Sequence, residues 1–330
     1  MTFSDTRYES MAYRPCGTSG LKLPAISLGA WHNFGDEADG DAMRHMLCRA
    51  FDLGITHFDL ANNYGPAPGS AERNVGRILA EQFAGHRDEL IVSSKAGFRM
   101  WPGPYGDGGS RKYLIASCDA SLKRLGLDYV DIFYHHRFDP NTPVAESINA
   151  LDQIVRSGKA VYAGISNYRG AATVEAVHLA RELKLPLVIH QAAYSMLNRD
   201  AVESDVAPQT RRLGLGIIAF CPLAQGLLTD KYLGGIPADS RAARPKTALG
   251  EQAVTEQVVA KIGKLNEIAK QRGQSMAQLA LTWVLRDPAV ASALIGASRV
   301  SQIEENAKAA EAAPLTDEEL AAIDEALNGA

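Results

Sequence analysis

Residues Ile55–Gly65 read ITHFDLANNYG. The first seven, Ile55–Ala61, carry the apolar Ile55, Phe58, Leu60 and Ala61 beside the β-prone Thr56, the pattern of a strand covered on both faces. Polarity rises sharply at the far end, where Asp59 is followed by Asn62, Asn63 and Tyr64. A helical segment follows at Ser70–Gln82, with Ser70 in the position of an N-cap. Strand, polar strand end and helix make one β/α unit.

The same unit recurs on both sides. Strands are expected at Ala25–Leu28, Leu90–Ala96, Val130–His136, Tyr162–Ser166, Leu187–Gln191, Gly216–Cys221 and Ala293–Gly296. Helices are expected at Asp41–Leu53, Ser110–Leu125, Pro143–Val155, Gly170–Leu183, Val202–Leu213, Thr255–Arg272 and Ser275–Leu285, from apolar stripes at helical spacing and from start signals such as Pro143 after Thr142. Eight such units argue for an α/β chain closed into a (β/α)8 TIM barrel, not an open doubly wound sheet. The Gly-x-Gly-x-x-Gly string of a doubly wound dinucleotide domain is absent from the sequence. Arg14–Leu23 predicts an N-terminal hairpin that plugs the bottom of the barrel. Long loops are expected after the third strand (Arg99–Gly109, RMWPGPYGDGG) and the seventh (Gly226–Leu249). Residues 1–330 are read as one barrel domain.

Composition narrows the function. The chain is 46% apolar with a net charge of −4, so there is no electrostatic case for nucleic acid or an anionic membrane. No apolar run approaches the roughly 18 residues that span a bilayer. Met1–Met11 is polar, without the apolar core of a signal peptide. The four cysteines, Cys16, Cys48, Cys118 and Cys221, are scattered and form no CxxC. Together these features point to a cytoplasmic protein.

Barrel enzymes work at the C-terminal ends of their strands. There this sequence places Asp59 and Tyr64, Lys95, His135-His136, Ser166-Asn167, Gln191 and Gly296–Arg299. A phenol has a pKa near 10, too high for efficient proton exchange at neutral pH. An ammonium about 4 Å away could lower it by about 3 units at most. Asp59 would keep Lys95 protonated, and His136 would donate a hydrogen bond to a substrate oxygen. Such a tuned acid beside a carbonyl lacks only a hydride source, which a nicotinamide would supply.

These motifs resemble the aldo-keto reductases along essentially the whole chain: ITHFDLANNYG with Asp59 and Tyr64, IVSSKAG with Lys95, VDIFYHHR with His136, then GISNY, HQAAYSMLNR and LIGASRVSQIEEN. SLGAWHNFG, NNYGPAPGSAE, MWPGPYGDGGSRKYL and CPLAQGLLTDKYLGGIP are similar to a bacterial branch that reduces L-glyceraldehyde 3-phosphate and is related to the β subunits of voltage-gated potassium channels. The resemblance implies NADPH as cofactor and a homotetramer or homo-octamer. It implies catalysis by Asp59, Tyr64, Lys95 and His136, on small aldehydes including methylglyoxal. Trp31 would line the nicotinamide end, and Trp31, Tyr64, His136 and Trp101 would meet substrate. Ser166, Asn167 and Gln191 would hold the carboxamide, with Tyr194 near the ring. Cys221, Pro222, Leu223, Gln225, Gly226, Leu227, Lys231 and Arg241 would follow the pyrophosphate, Asp230 being an unfavourable neighbour. Gly296, Ser298, Arg299, Gln302, Glu305 and Asn306 would hold the adenosine half. The last group also reads physically: a strand-to-helix junction with free N–H groups, a hydroxyl and a guanidinium suits a 2′-phosphate.

Other residues have plainer readings. His135 and His136 are adjacent on a strand and face opposite ways, which argues against a shared metal. His57 and His190 read as core histidines, and Cys221 as an inert lining residue. Ser166 lacks the Gly-x-Ser-x-Gly elbow of an acyl-transfer nucleophile. Trp101 and Tyr105 either close over substrate or pack within their own loop. Glu304-Glu305 is split between a solvated face and an adenine contact. For a substrate phosphate, Arg99, Arg111 and Arg137 all remain open.

Overall fold

The computed structural model describes residues 3–238, 240, 242, 243 and 249–329. Eight parallel strands close into a barrel: β3 (Ile26–Gly29), β4 (His57–Asp59), β5 (Ile91–Ala96), β6 (Val130–His135), β7 (Ala160–Ser166), β8 (Leu187–Ala193), β9 (Gly216–Phe220) and β10 (Val290–Ile295), with β10 pairing both β9 and β3. The short β1 (Tyr13–Pro15) and β2 (Lys22–Pro24) form an antiparallel hairpin. Cys16, Leu21 and Leu23 of the hairpin pack with Ile132, Tyr134, Ile189, Ile218 and Leu294 of the strands, so it plugs the N-terminal end as expected. Gly17, at φ +57, permits this closeness: a Cβ there would lie 2.1 Å from the Gly214 carbonyl.

Helices α1 (Gly40–Asp52), α2 (Ser70–Gln82), α3 (Arg111–Leu125), α4 (Val144–Arg156), α5 (Gly170–Leu183) and α6 (Ala207–Leu213) alternate with the strands. Their apolar stripes cover the outer face of the sheet. Caps fix several ends: Ser110 accepts from the Tyr113 N–H, and Ser275 forms a capping box with Gln278 ahead of α8 (Met276–Leu285), each worth about 1 kcal/mol.

The expectations need four adjustments. First, regular β4 spans only His57–Asp59, shorter than Ile55–Ala61, although the N–H groups of Leu60 and Asn62 still donate to the Ser93 and Lys95 carbonyls and carry the register towards Tyr64. Second, Ser70 is no cap: its hydroxyl donates to the Ala67 carbonyl, and Gly69 at φ +85 takes the cap position. Third, Val202–Leu213 opens as a π turn at Val202–Val206 before α6, where Pro208 has no N–H for the carbonyl four residues back. Fourth, α7 (Glu256–Gln271) and α8 precede β10 and α9 (Val300–Ala307) follows it, as expected, but a further helix outside the expected set, α10 (Asp317–Asn328), comes after them. Among the described residues no helix is long and apolar enough to cross a membrane.

Candidate active site

Side chains alternate along a strand, and the ladder register fixes which set lines the barrel: Asp59 stands beside Ser93, and Ser166 beside Gln191. These interior residues build a polar floor. Ser292 and Ser27 hydroxyls lie 2.6 Å apart, and His57 bridges Ser27 and Ser93 at 2.9 Å on each side. Ser93 donates to Asp59 Oδ1 at 2.7 Å. Having used its proton there, the Ser93 hydroxyl accepts from His57, so Nε2 carries a proton. Burial pushes His57 down to about 4, so the ring is neutral at physiological pH.

Asp59 and Lys95 are fully buried. The Lys95 ammonium donates to Asp59 Oδ2 and to the Leu60 carbonyl at 2.6 Å. It lies 4.9 Å from the Tyr64 ring centroid and 5.7 Å from that of Tyr134. Gln191 Nε2 adds a bond to Asp59 Oδ1 at 3.1 Å. A buried ion pair persists only if its remaining lone pairs and protons are satisfied, and this one is bonded on both sides. Burial lowers Lys95, with Asp59 opposing.

Tyr64, on the loop after β4, is partly open. Its ring lies 5.8 Å from His136 and 6.0 Å from Trp31. The structure thus gathers Trp31, Asp59, Tyr64, Lys95 and His136 at one mouth. The expected tuning is not seen in this structure: burial, then Asp59 and Cys221, push the Tyr64 phenol well above its usual range. His136 is held well below the usual imidazole range by burial and by Lys95, so it is neutral at physiological pH. Its ring meets Phe98 edge-on at 4.7 Å. His135 points the other way, to the Tyr168 hydroxyl at 2.6 Å.

The remaining candidates separate. Ser166 and Gln191 line the mouth; exposed Asn167, at φ +57, donates to Ser166 Oγ and to the His136 carbonyl. Cys221 and Gln225 share a bond at 3.6 Å, on a turn with left-handed Cys221, Ala224, Gln225 and Gly226. Pro222 and Leu227 are buried there and Leu223 half-buried. Lys231 is exposed beside Asp230 on a short turn capped by Thr229, and Arg241 lies outside the described residues. Ser298 and Arg299 are exposed at the start of α9 and Glu305 is exposed near its end, while Asn306 is buried. Glu304 pairs with Arg49 at 2.7 Å, which removes it from the adenine group.

Tyr194 is a further correction. Only 1% exposed, its ring packs on Trp283, and its hydroxyl joins Glu203 and Arg286 at 2.9 Å each. The aromatic ring at the mouth on this side is Phe220, the partly exposed end of β9, which packs with the interior cluster. Sequence reasoning missed it, although counting by two from Ile218 puts it inside the barrel. His190 is buried but neither ring nitrogen has a hydrogen-bond partner among the described residues, so it is a packing histidine and not a satisfied one. Trp101 packs on Tyr113 at 5.1 Å and is enclosed by its own loop at Gly106. Arg111 bonds Gln153 on α4, and Arg137 is held by Asp107 and the Gly97 carbonyl; Arg99 is exposed, with no partner among the described residues.

Comparison with known proteins agrees with this arrangement. Residues 25–328 match the model of the Aldo/keto reductase family. The chain is 58% identical over 322 residues to the L-glyceraldehyde 3-phosphate reductase of Escherichia coli K12, covering 97% of this chain and 93% of that protein. It is 38% identical over 308 residues to a probable voltage-gated potassium channel β subunit of Arabidopsis thaliana, covering 92% and 93% respectively. With a parallel barrel, a buried lysine–aspartate pair under a tyrosine at its mouth, and these matches across nearly its whole length, the chain is an oxidoreductase belonging to the aldo/keto reductase family.

Proposed function

We propose that this chain is an NADPH-dependent aldehyde reductase acting on L-glyceraldehyde 3-phosphate, with methylglyoxal and small or aromatic aldehydes as side substrates. The observation that carries the reading is the position of Tyr64, within 4.9 Å of the Lys95 ammonium and 5.8 Å of the His136 ring, measured to ring centroids. The name of the 58% identical bacterial relative supports the substrate.

The residues present fit a dinucleotide. At the start of α9 the Gln302 carboxamide oxygen accepts from both the Ser298 N–H, at 2.8 Å, and the Ser298 hydroxyl, at 3.2 Å. An acceptor oxygen already seated there is what a phosphate would replace, with Arg299 beside it. Ser166, Asn167 and Gln191 offer amide and hydroxyl groups at the mouth, and Phe220 a flat apolar face. When bound, reduced nicotinamide supplies the hydride.

The chain's own part is proton supply and orientation. As negative charge grows on the carbonyl oxygen, Tyr64 releases its proton to it. An alkoxide is a far stronger base than a phenolate, so a phenol raised by burial still serves as the acid. Neutral His136 donates a hydrogen bond to the same oxygen. Lys95 places a positive charge beneath Tyr64 that steadies the phenolate left behind, and Asp59 keeps that charge in place. We assign the protein to the cytoplasm as a homotetramer or homo-octamer.

A second reading is a regulatory subunit of the potassium-channel β type that binds NADPH and turns over slowly; the 38% identical relatives favour it. Steady-state kinetics with NADPH and separate L- and D-glyceraldehyde 3-phosphate decide between them. Efficient turnover preferring the L form is expected. NADPH binding with turnover no faster than about one per minute would favour the regulatory subunit.

A further inference from the structure

Tyr113 is fully buried in the first turn of α3, outside the barrel wall. Its hydroxyl accepts from Asn62 Nδ2 at 3.0 Å and donates to the Phe98 carbonyl at 2.5 Å. Asn62 stands two residues before Tyr64, and its own N–H donates to the Lys95 carbonyl at 2.9 Å. Phe98 stands three residues after Lys95. One side of its ring system meets His136 at 4.7 Å, and the Arg137 guanidinium covers it at 4.6 Å. Both strong bonds of one hydroxyl therefore go to the two segments that carry Tyr64 and buttress His136.

We propose that Tyr113 is a positioning residue for aldehyde reduction, its hydroxyl coupling the Tyr64 segment to the Phe98–His136 contact and so setting the separation of the two groups that face the substrate oxygen. This rests on the reductase reading of the mouth. Packing alone would need only the ring, and a buried hydroxyl is costly unless bonded. With the hydroxyl gone, the Asn62 side-chain amide is left with the Ser117 hydroxyl, at 3.3 Å, as its partner among the described residues, and the Phe98 carbonyl loses this donor. The two segments then settle independently. Proton transfer and carbonyl orientation depend on fractions of an ångström. Tyr113 bonds none of the residues assigned to the cofactor, so binding of NADPH is spared.

The test compares Tyr113→Phe, Asn62→Ala and the double variant in the full chain, using NADPH and an aldehyde that the parent protein reduces. In Tyr113→Phe, kcat is expected to fall about tenfold to a hundredfold, with KM and the NADPH Kd within about twofold. The primary deuterium isotope effect on kcat from 4-deuterated NADPH rises, since chemistry becomes slower than product release. Asn62→Ala repeats the pattern, and the double variant loses no more than the worse single one. A folded Tyr113→Phe with parental kcat and isotope effect overturns the proposal, as does a multiplicative loss in the double variant. Should Tyr113→Phe not fold, Asn62→Ala decides by the same two measurements. A parent protein that reduces no aldehyde removes the reductase reading, and this proposal with it, before any variant is compared.

Discussion

The Lys95 ammonium lies against the ring of Tyr64, 4.9 Å from its centroid, while its hydrogen bonds go to Asp59 and the Leu60 carbonyl. The phenol keeps its proton, pushed upward first by burial and then by Asp59 and Cys221. Reduction should therefore show no loss from phenol ionisation between about pH 6 and about pH 9. An alkaline fall in kcat near neutrality that disappears in a residue-64 variant would contradict this.

Tyr64→Phe removes the proton and leaves the ring between Trp31, Lys95 and His136. Turnover is expected to drop by roughly 10²–10⁴-fold, the range for losing a general acid, while NADPH affinity by fluorescence titration stays within about twofold. Near-parental turnover would take Tyr64 out of the mechanism.

Arg299 is the exposed guanidinium beside the Ser298–Gln302 pair. Arg299→Ala should weaken NADPH by about tenfold, at the low end for a hydrogen bond to a charged group, and leave NADH almost unchanged. Equal losses for the two dinucleotides would show that Arg299 does not contact a 2′-phosphate.

Stability should fall on the acid side of neutrality. Burial pushes His57, His135 and His190 each down to about 4, against about 6.5 in the unfolded chain. A depressed imidazole contributes stability that is complete above the unfolded value, and that contribution is lost as pH falls from about 6.5 towards 4, where the unfolded chain takes up protons that the native state refuses. His190 makes no hydrogen bond with either nitrogen among the described residues, so His190→Leu removes one such site cleanly. Denaturation across this window should lose up to one proton, about 1.4 kcal/mol per pH unit, from the slope of stability against pH. An unaltered slope in a folded His190→Leu protein refutes the assignment.

Gly164 on β7 faces the ring of Tyr134, and a Cβ there would sit 2.3 Å from a ring carbon. The Tyr134 ring is fully buried beneath Lys95, so it has nowhere to go. Gly164→Ala should cost about 1–3 kcal/mol by overpacking, seen as a lower denaturation midpoint. A neutral or stabilised variant would mean that the barrel interior is looser than this geometry requires.

The barrel was written locally. Apolar runs such as Val130–Tyr134 and helix signals such as Ser110 and Ser275 act through short-range sterics and capping, so periodicity recovers the strands and most helices. The strand-end residues Asp59, Lys95 and His136 were legible for the same reason, because a parallel barrel brings all its C-terminal ends to one mouth. Contacts between distant segments were not legible. That Ser70 donates to a loop carbonyl, that Tyr194 is committed to Trp283 and Glu203, and that Arg137 belongs to Asp107 depend on three-dimensional neighbours that no spacing reveals. Phe220 had a local signal in its alternation, but only closure of the sheet gives inside and outside their meaning. The charge state of the site was decided last: the residue types were set by the sequence, whereas burial and the pairing of Asp59 with the Lys95 ammonium arise only once the barrel has closed around them.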